Sequence, residues 1–205
     1  MYFLSTRTRL GTATQEYKDK LIRLVQYINK TSTDGITLGG DTTGNIRIFA
    51  YADATYGVHM DGKSHTGLVI ILGRGPIYVK SGKQKCVTKS SCEAEIIALS
   101  DIAATVPLIH DLSVELLGPR QPPVLMEDNK AAIQLVTNGA STADRSRHVH
   151  IRNNFVFQFI DSGEMEIRHC PTSKRLADLL TKPFITNTFS ILREFLLGNK
   201  TAEQG

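Results

Sequence analysis

The chain has 205 residues, of which 41% are hydrophobic and 21% are charged, and this composition is typical of a globular protein and excludes a disordered one. Its length favours one full domain with an extension over two large domains. The net charge of +4 and the pI of about 9.0 permit a nucleic-acid partner without requiring one, and no run approaches the roughly 18 apolar residues that a membrane span needs.

The first part of the chain predicts a helix followed by a linker. Between residues 14 and 29, apolar side chains recur at helical spacing, with basic side chains on the opposite side. Residues 30–45 are rich in Thr, Gly and Asp, as linkers are. We therefore place a domain boundary at residue 45.

The rest of the chain predicts three strands, followed by helices that alternate with two more strands. The strands are expected at residues 46–54, 67–72, 76–80, 123–126 and 165–169. Helices are expected at residues 92–106, where Pro107 must kink or end the helix, and at 108–117, 129–137, 148–160, 173–181 and 189–197. This order predicts a mixed α/β sheet flanked by helices.

Four acidic residues stand in apolar surroundings where a carboxylate is costly to bury. Asp53 ends an apolar strand, and Asp128 directly follows another. Glu95 lies on the apolar face of a helix, and Asp178 lies between leucines. A buried carboxylate needs a partner or a metal ion, and α/β sheets build their sites at the carboxyl ends of strands. Taken singly, Asp128 also fits a helix cap, Glu95 an ion pair and Asp178 a solvent-facing position.

Convergence of the four carboxylates would predict a site for divalent cations. Like charges brought together raise one another's pKa, and a cation relieves the repulsion. Ligands that are all oxygen favour Mg²⁺ or Mn²⁺ over zinc. Two such ions roughly 4 Å apart activate a water molecule and stabilise the leaving oxygen of a phosphodiester. Four converging carboxylates would therefore suit metal-dependent phosphodiester hydrolysis, and the case for them rests on their order and local sequences rather than on any one of them.

Six short segments are more specific than any single residue: residues 51–54, 61–67, 90–99, 127–133, 147–152 and 176–183. Their sequences include Tyr-Ala-Asp-Ala, Ser-Ser-Cys-Glu-Ala-Glu-Ile-Ile-Ala-Leu, Glu-Asp-Asn-Lys-Ala-Ala-Ile and Leu-Ala-Asp-Leu-Leu-Thr-Lys-Pro. Together they resemble the ribonuclease H domain of copia-type LTR retrotransposons. Upstream, residues 2–7 and 25–28 resemble the segment that links polymerase to ribonuclease H in the same Pol polyprotein.

The resemblance implies a ribonuclease H-like fold, with a mixed five-stranded sheet flanked by helices and an N-terminal helical extension. Residues 1–45 would be the connection segment, residues 46–183 the ribonuclease H domain, and residues 184–205 a C-terminal helix and tail. The implied metal-binding and catalytic carboxylates fall on Asp53, Glu95, Asp128 and Asp178. Glu93 competes with Glu95, which we prefer because Ile-Ile-Ala-Leu follows it.

The function that the resemblance implies is hydrolysis of the RNA strand of RNA–DNA hybrids during reverse transcription. Two Mg²⁺ ions would serve as cofactors, with Mn²⁺ as a substitute. The partners would be the hybrid and the polymerase domain of the same polyprotein. No association with a membrane is expected. Three cysteines without metal-like spacing indicate reduced thiols and an intracellular protein. Such a protein is expected in a cytoplasmic virus-like particle or in the nucleus.

The sequence departs from the family pattern at several positions. Ile96 and His150 replace a Tyr and an Asp, Pro107 interrupts a helix, and the chain has no Trp. The loop at residues 170–175 lacks the His that many cellular ribonucleases H carry before the last acid. We expect these departures to affect the rate more than the fold.

Two further groups of residues are candidates for contacts with nucleic acid. The basic run that includes Arg145, Arg147 and Arg152 fits either a phosphate track or a solvated helix face. Ser90, Ser91 and Asn129 flank the acids and fit either 2′-hydroxyl contacts or helix caps. Binding through phosphates would weaken with salt.

Two other classes of protein remain as alternatives. An inactive ribonuclease H-like module would only connect and support the polymerase, and such modules lack the acidic set that is present here. A domesticated module that binds nucleic acid is a variant that stays open. An integrase or transposase of the DDE type shares the fold and the two-metal chemistry, but its acids occur in the order Asp, Asp, Glu. Here the Glu comes second.

Overall fold

The computed structural model describes residues 14–39, 46–139, 147–171, 174–184 and 186–199. In these residues the helices are α1 (Gln15–Lys30), α2 (Ser91–Ala103), α3 (Val106–Leu117), α4 (Lys130–Asn138), α5 (Arg147–Asp161) and α6 (Thr186–Leu196). The strands are β1 (Ile48–Thr55), β2 (His65–Leu72), β3 (Gly75–Lys83), β4 (Val124–Glu127) and β5 (Glu166–His169). A 3₁₀ helix at Leu176–Leu180 lies between β5 and α6.

The described strands form one five-stranded sheet in the order β3-β2-β1-β4-β5. Strand β2 pairs antiparallel with both β1 and β3, whereas β1 pairs parallel with β4, and β4 pairs parallel with β5. Strand β1 is therefore central, which explains why its sequence is apolar on both faces. This is the ribonuclease H-like arrangement, and the predicted mixed sheet flanked by helices is confirmed.

The two faces of the sheet carry separate apolar layers, because successive side chains of a strand point to opposite faces. Ala50 and Ala52 of β1 pack on one side in a cluster with apolar residues of α2, α4 and α5. Tyr51 of β1 packs on the other side with Leu176 and Ala177 of the 3₁₀ helix and with residues of α6. The central strand is thus covered by helices on both faces, which holds its carboxyl end in a fixed position.

Some elements differ in extent from the sequence prediction. Strands β2 and β3 form a longer hairpin than expected, beginning at His65 and ending at Lys83. Pro107 does not kink a helix: α2 ends at Ala103, and Pro107 lies in the first turn of the separate helix α3. Proline is favoured there, because the first helical N–H groups have no partner within the helix. The helix expected at residues 173–181 is a single 3₁₀ segment.

Helix α1 packs against α6, and none of its residues is buried. Its Tyr27 ring packs edge-on against Phe189 of α6 with ring centroids 6.0 Å apart. The Nε of Arg193 donates a hydrogen bond to the Tyr27 hydroxyl at 2.8 Å. The predicted N-terminal helical extension is therefore present, and it touches the rest of the protein through α6.

The segment after α1 makes backbone contacts with two other parts of the chain. The N–H of Thr37 donates to the carbonyl of Leu197 at 2.8 Å, and Gly39 forms a parallel bridge with Gly73 in the β2–β3 turn. Residues 40–45, where the domain boundary was placed, lie outside the described residues. The boundaries at residues 45 and 183 stay predictions.

No described helix combines the length and the apolar character that crossing a bilayer requires. Cys86, Cys92 and Cys170 are free thiols, as their spacing suggested. The intracellular location stays a prediction.

Candidate active site

Two parallel neighbouring strands and one helix bring three of the four predicted carboxylates together. Asp53 lies near the carboxyl end of β1, Asp128 directly follows β4, and Glu95 lies in the second turn of α2. One oxygen from each of the three carboxylates lies within 4.8 Å of the others. Because the carboxyl ends of parallel strands meet at one edge of a sheet, the convergence follows from the topology.

The start of α2 separates the two candidate glutamates. The Ser90 hydroxyl accepts a hydrogen bond from the Glu93 N–H at 3.2 Å, and Glu93 Oε2 accepts one from the Lys89 N–H at 2.7 Å. This pair of hydrogen bonds resembles a capping box, and it holds the Glu93 carboxylate at the start of the helix. Glu95 is only 5% exposed, and its Oε2 accepts no hydrogen bond from the described residues. Glu95 is therefore the glutamate that the cluster contains.

The end of β4 supplies an additional buried carboxylate. Glu127 is fully buried, with its Oε1 accepting the Asn129 N–H at 2.9 Å and its Oε2 accepting no hydrogen bond from the described residues. Asp128, the next residue, forms an ion pair with Arg175, whose Nη1 lies 2.9 Å from Oδ2. The Asn129 side chain caps α4 by accepting from the N–H groups of the second and third residues of that helix.

Asp178 approaches the cluster from the 3₁₀ helix and is joined to Asp53 through a lysine. The Lys182 Nζ lies 2.8 Å from Asp53 Oδ1 and 3.0 Å from Asp178 Oδ1. The Thr181 hydroxyl donates to the other oxygen of Asp53. Asp178 thus lies beside Asp53, but it is not one of the three carboxylates within 4.8 Å of one another.

The electrostatic environment opposes full ionisation of the cluster. Burial, together with the charges of Glu127, Asp53 and Asp128, raises the pKa of Glu95 well above its usual value. Burial and the neighbouring aspartates raise the pKa of Glu127 to about 8. Burial and the charge of Asp53 raise the pKa of Asp178 to about 6, even though Lys182 opposes the shift. The carboxyl groups of the cluster therefore resist being ionised together, even with Lys182 and Arg175 beside them.

The same environment acts in the opposite direction on Lys182. Burial lowers the pKa of Lys182, but its hydrogen bond with Asp53 and the charges of Asp53 and Asp178 outweigh burial. The pKa of Lys182 is therefore raised above its usual value, and the side chain is an ammonium ion.

The residues of this cluster fit a hard divalent cation. All the converging ligand atoms are carboxylate oxygens, the donor type that Mg²⁺ and Mn²⁺ prefer over the nitrogen and sulfur of zinc sites. The buried Oε2 atom of Glu95, which accepts no hydrogen bond from the described residues, is an acceptor that a cation would satisfy.

The residues expected to contact nucleic acid are placed less uniformly. Ser90 and Asn129 serve as helix caps, although Ser90 is also exposed, as is its neighbour Ser91. Arg147 is exposed at the start of α5, whereas Arg152 forms an ion pair with Asp101 of α2 at 2.7 Å. Arg145 lies outside the described residues. The phosphate track stays a prediction.

Sequence reasoning missed the residues that neutralise the acids. In the sequence, Lys182 and Thr181 stand out only as parts of a matching segment, and nothing marks Arg175 as the partner of an acid. The spacing of four residues between Asp178 and Lys182 was a signal for that ion pair. Glu127 was also overlooked, although an acid that ends a buried strand beside Asp128 is expensive to bury.

Comparison with known proteins identifies the relatives of this chain. The chain is 35% identical over 179 residues to the Pol polyprotein of transposon RE1 from Arabidopsis thaliana, a match that covers 86% of this chain and 12% of that protein. The chain is homologous to a segment of copia-type retrotransposon Pol polyproteins. It is also 27% identical over 183 residues to the Pol polyprotein of transposon TNT 1-94 from Nicotiana tabacum, covering 89% and 14% of the two proteins.

The homology extends beyond plants. The Gag-Pol polyprotein of transposon Ty1-DR5 from Saccharomyces cerevisiae is 28% identical over 149 residues, which is 71% of this chain and 8% of that protein. The chain therefore spans between 8% and 14% of the length of these polyproteins. No family model matches the sequence.

Among solved structures, the chain is similar to LC11 RNase H1 isolated from compost, with a TM-score of 0.49, 16% identity, and coverage of 65% of this chain and 91% of that one. It is similar to the same extent, with a TM-score of 0.49 and 14% identity, to a foamy viral protease-reverse transcriptase in complex with an RNA/DNA hybrid, covering 71% and 21% of the two chains. The strand order and pairing described above, rather than these superpositions, define the fold.

Proposed function

We propose that this segment is the ribonuclease H of a copia-type retrotransposon and hydrolyses the RNA strand of RNA–DNA hybrids during reverse transcription. The observation that carries the proposal is the group formed by Asp53, Glu95 and Asp128. The matching segments of the sequence and the homology to Pol polyproteins support the same function. The partner in the polyprotein would be the polymerase domain that precedes it.

Within this proposal, Asp53, Glu95, Asp128 and Asp178 would hold two Mg²⁺ ions, or Mn²⁺ in their place. When bound, such ions supply activation of an attacking water and stabilisation of the departing 3′-oxygen. Asp53 is central to the arrangement, since it is near Glu95 and Asp128 on one side and linked to Asp178 through Lys182 on the other. The 3₁₀ helix positions Asp178 by packing Leu176 and Ala177 against the sheet.

A second candidate function follows from the basic partners of the acids. Arg175 and Lys182 neutralise part of the cluster without any cation. A stable cation-free module that binds nucleic acid or supports the polymerase is compatible with that arrangement. Such a scaffold would not need Glu95, which has no basic partner among the described ion pairs.

The test is cleavage of a labelled RNA–DNA hybrid in Mg²⁺ and in Mn²⁺, with a parallel binding assay. Asp53→Asn keeps the shape of the side chain but removes the charge at the centre of the cluster. We expect the variant to lose several kcal/mol of transition-state stabilisation, so that its cleavage rate falls by a factor of about 10³ or more. Binding of the hybrid should be retained.

Asp161→Asn is the matched control, because Asp161 is exposed at the end of α5. It should cleave like the wild type. Duplex DNA and duplex RNA should resist cleavage, which separates a ribonuclease H from a general nuclease. If wild type and Asp53→Asn are equally inactive in both metals yet bind the hybrid, the scaffold function is correct for this segment.

A further inference from the structure

The carboxylate cluster is neutralised unevenly by the chain itself. On one side, the Lys182 ammonium bridges Asp53 and Asp178 at 2.8 and 3.0 Å. On the other side, Glu95 and Glu127 each keep a buried oxygen without a hydrogen-bond partner among the described residues. On one side of the cluster, therefore, an ammonium group bridges two acids. On the other side Arg175 contacts only Asp128 among the described acids, while Glu95 and Glu127 keep their unpartnered oxygens.

Lys182 occupies a position that a cation would share. Its Nζ contacts one oxygen of Asp53 and one oxygen of Asp178, and the Thr181 hydroxyl contacts the second oxygen of Asp53. A divalent ion bound between these two aspartates would need the same oxygen atoms. The Lys182 side chain is 37% exposed, whereas those of Asp53 and Asp178 are 3% and 10% exposed, so the lysine can move away while the acids stay.

We propose that Lys182 is a built-in counter-ion that competes with the second divalent cation for Asp53 and Asp178. The inference rests on the proposed cation-dependent function. It adds that the two cation positions differ in their affinity for the ion. Asp53, Glu95 and Asp128 would hold the first cation more tightly, because Arg175 contacts only Asp128 among the described acids there. The second cation would bind more weakly, because it would have to displace the ammonium group that bridges Asp53 and Asp178. Without cations, Lys182 holds the 3₁₀ helix against β1.

The proposal predicts that removing the charge of Lys182 has opposite effects on the cation-free and the cation-bound protein. Lys182→Met keeps an unbranched side chain but leaves Asp53 and Asp178 without their ammonium partner. The cation-free protein should therefore melt at a lower temperature. Affinity for the second Mg²⁺ should rise at least about fivefold, because a positive charge in contact with the same carboxylates no longer opposes the ion.

The experiment is calorimetric titration of the metal-stripped full chain with MgCl₂ alone, without nucleic acid. Lys182→Arg, which keeps the charge, should bind Mg²⁺ within about twofold of the wild type. Lys20→Met removes a lysine ion pair on α1 and serves as the matched control with unchanged Mg²⁺ binding. Thermal melts with and without Mg²⁺ provide the second readout, in which the stabilisation by Mg²⁺ is larger for Lys182→Met than for the wild type.

The outcomes separate failure of this inference from failure of the proposed function. If the wild type binds no Mg²⁺ or Mn²⁺, the proposed function is wrong. If the wild type binds Mg²⁺ but Lys182→Met binds it equally or more weakly, Lys182 organises the carboxylates instead of competing for them, and this inference is overturned. If Lys182→Met fails to fold, the lysine ammonium NMR signal of the wild type decides. It should shift and broaden towards that of a solvated, rapidly exchanging lysine as Mg²⁺ saturates the protein, and an unchanged signal overturns the inference.

Discussion

Gly67 lies where the 3₁₀ helix that carries Asp178 touches the sheet. It pairs with Asp53 across the β1–β2 ladder. A Cβ atom added at Gly67 would lie 2.7 Å from the carbonyl oxygen of Ala177 and 2.8 Å from side-chain atoms of Leu180 and Thr181. Ordinary contacts begin at 3.4 Å, so in Gly67→Ala the helix must retreat by roughly 0.7 Å, a typical response to overpacking.

The retreat has two measurable consequences. Overpacking of this kind costs about 1–3 kcal/mol, and each kcal/mol lowers the Tm of a domain of this size by about 2–4 °C. The displaced helix also moves Asp178 and Lys182 away from Asp53. A misplacement approaching 1 Å costs about 10²-fold in rate, so we expect hybrid cleavage to fall by about one to two orders of magnitude.

Gly82→Ala is the matched control. Gly82 lies on β3 opposite Thr66, in the same hairpin, and an added Cβ there meets no atom within 4 Å. Its free energy of unfolding should equal that of the wild type or rise slightly, because alanine restricts the unfolded chain. Urea unfolding and hybrid cleavage measure both variants. Equal stability and equal activity of the two variants would refute the packing that we describe between β2 and the 3₁₀ helix.

Two further predictions concern pH and the N-terminal segment. In the folded protein the pKa of Glu127 is about 8 and that of Asp178 about 6, both above their unfolded values, so the folded state binds more protons. The free energy of unfolding of the cation-free protein should therefore fall as the pH rises from about 4 to about 8. Urea unfolding across this range should show a flatter profile for Glu127→Gln, and an equally steep profile would contradict the assignment. Deleting residues 1–30 should change the unfolding free energy little, because no residue of α1 is buried. Deleting residues 1–45 should lower it further, because it also removes the Thr37–Leu197 hydrogen bond and the Gly39–Gly73 bridge. Circular dichroism melts compare the two truncations. Equal melting temperatures would show that the Thr37–Leu197 hydrogen bond and the Gly39–Gly73 bridge do not stabilise the fold.

Much of the fold could be predicted from local patterns. Strand β1 is apolar on both faces because strands flank it on either side and helices cover both layers, and this pattern is visible in the sequence. The extent of the hairpin could not be predicted, because its ends contain the polar residues His65, Ser81 and Lys83, which do not continue the apolar pattern of a strand. In the structure, His65 pairs with Lys83 across the ladder and forms a hydrogen bond with Ser81. The 3₁₀ geometry at Leu176–Leu180 likewise depends on packing against Gly67, which is distant in sequence.

The site was predictable only in part, for a similar reason. Asp53, Glu95 and Asp128 stand out because each is an acid in an apolar setting, and the topology then brings them together. The bond between Lys182 and Asp53 joins residues 129 positions apart. A lysine in a polar turn carries no sign of such a distant partner.

The distribution of charge in the cluster also bears on the choice between enzyme and scaffold. In a cation-free protein, Glu95 and Glu127 are buried acids whose pKa values are raised, so each weakens the fold at neutral pH. Replacing such groups by neutral residues of similar size commonly stabilises a protein, and a scaffold would gain from that change. A cation reverses the balance, because a ligand present at 100 times its Kd adds about 2.7 kcal/mol of stability. The buried carboxylates are therefore costly in a scaffold and useful in a protein that binds divalent cations, and the dependence of Tm on Mg²⁺ tests this difference directly.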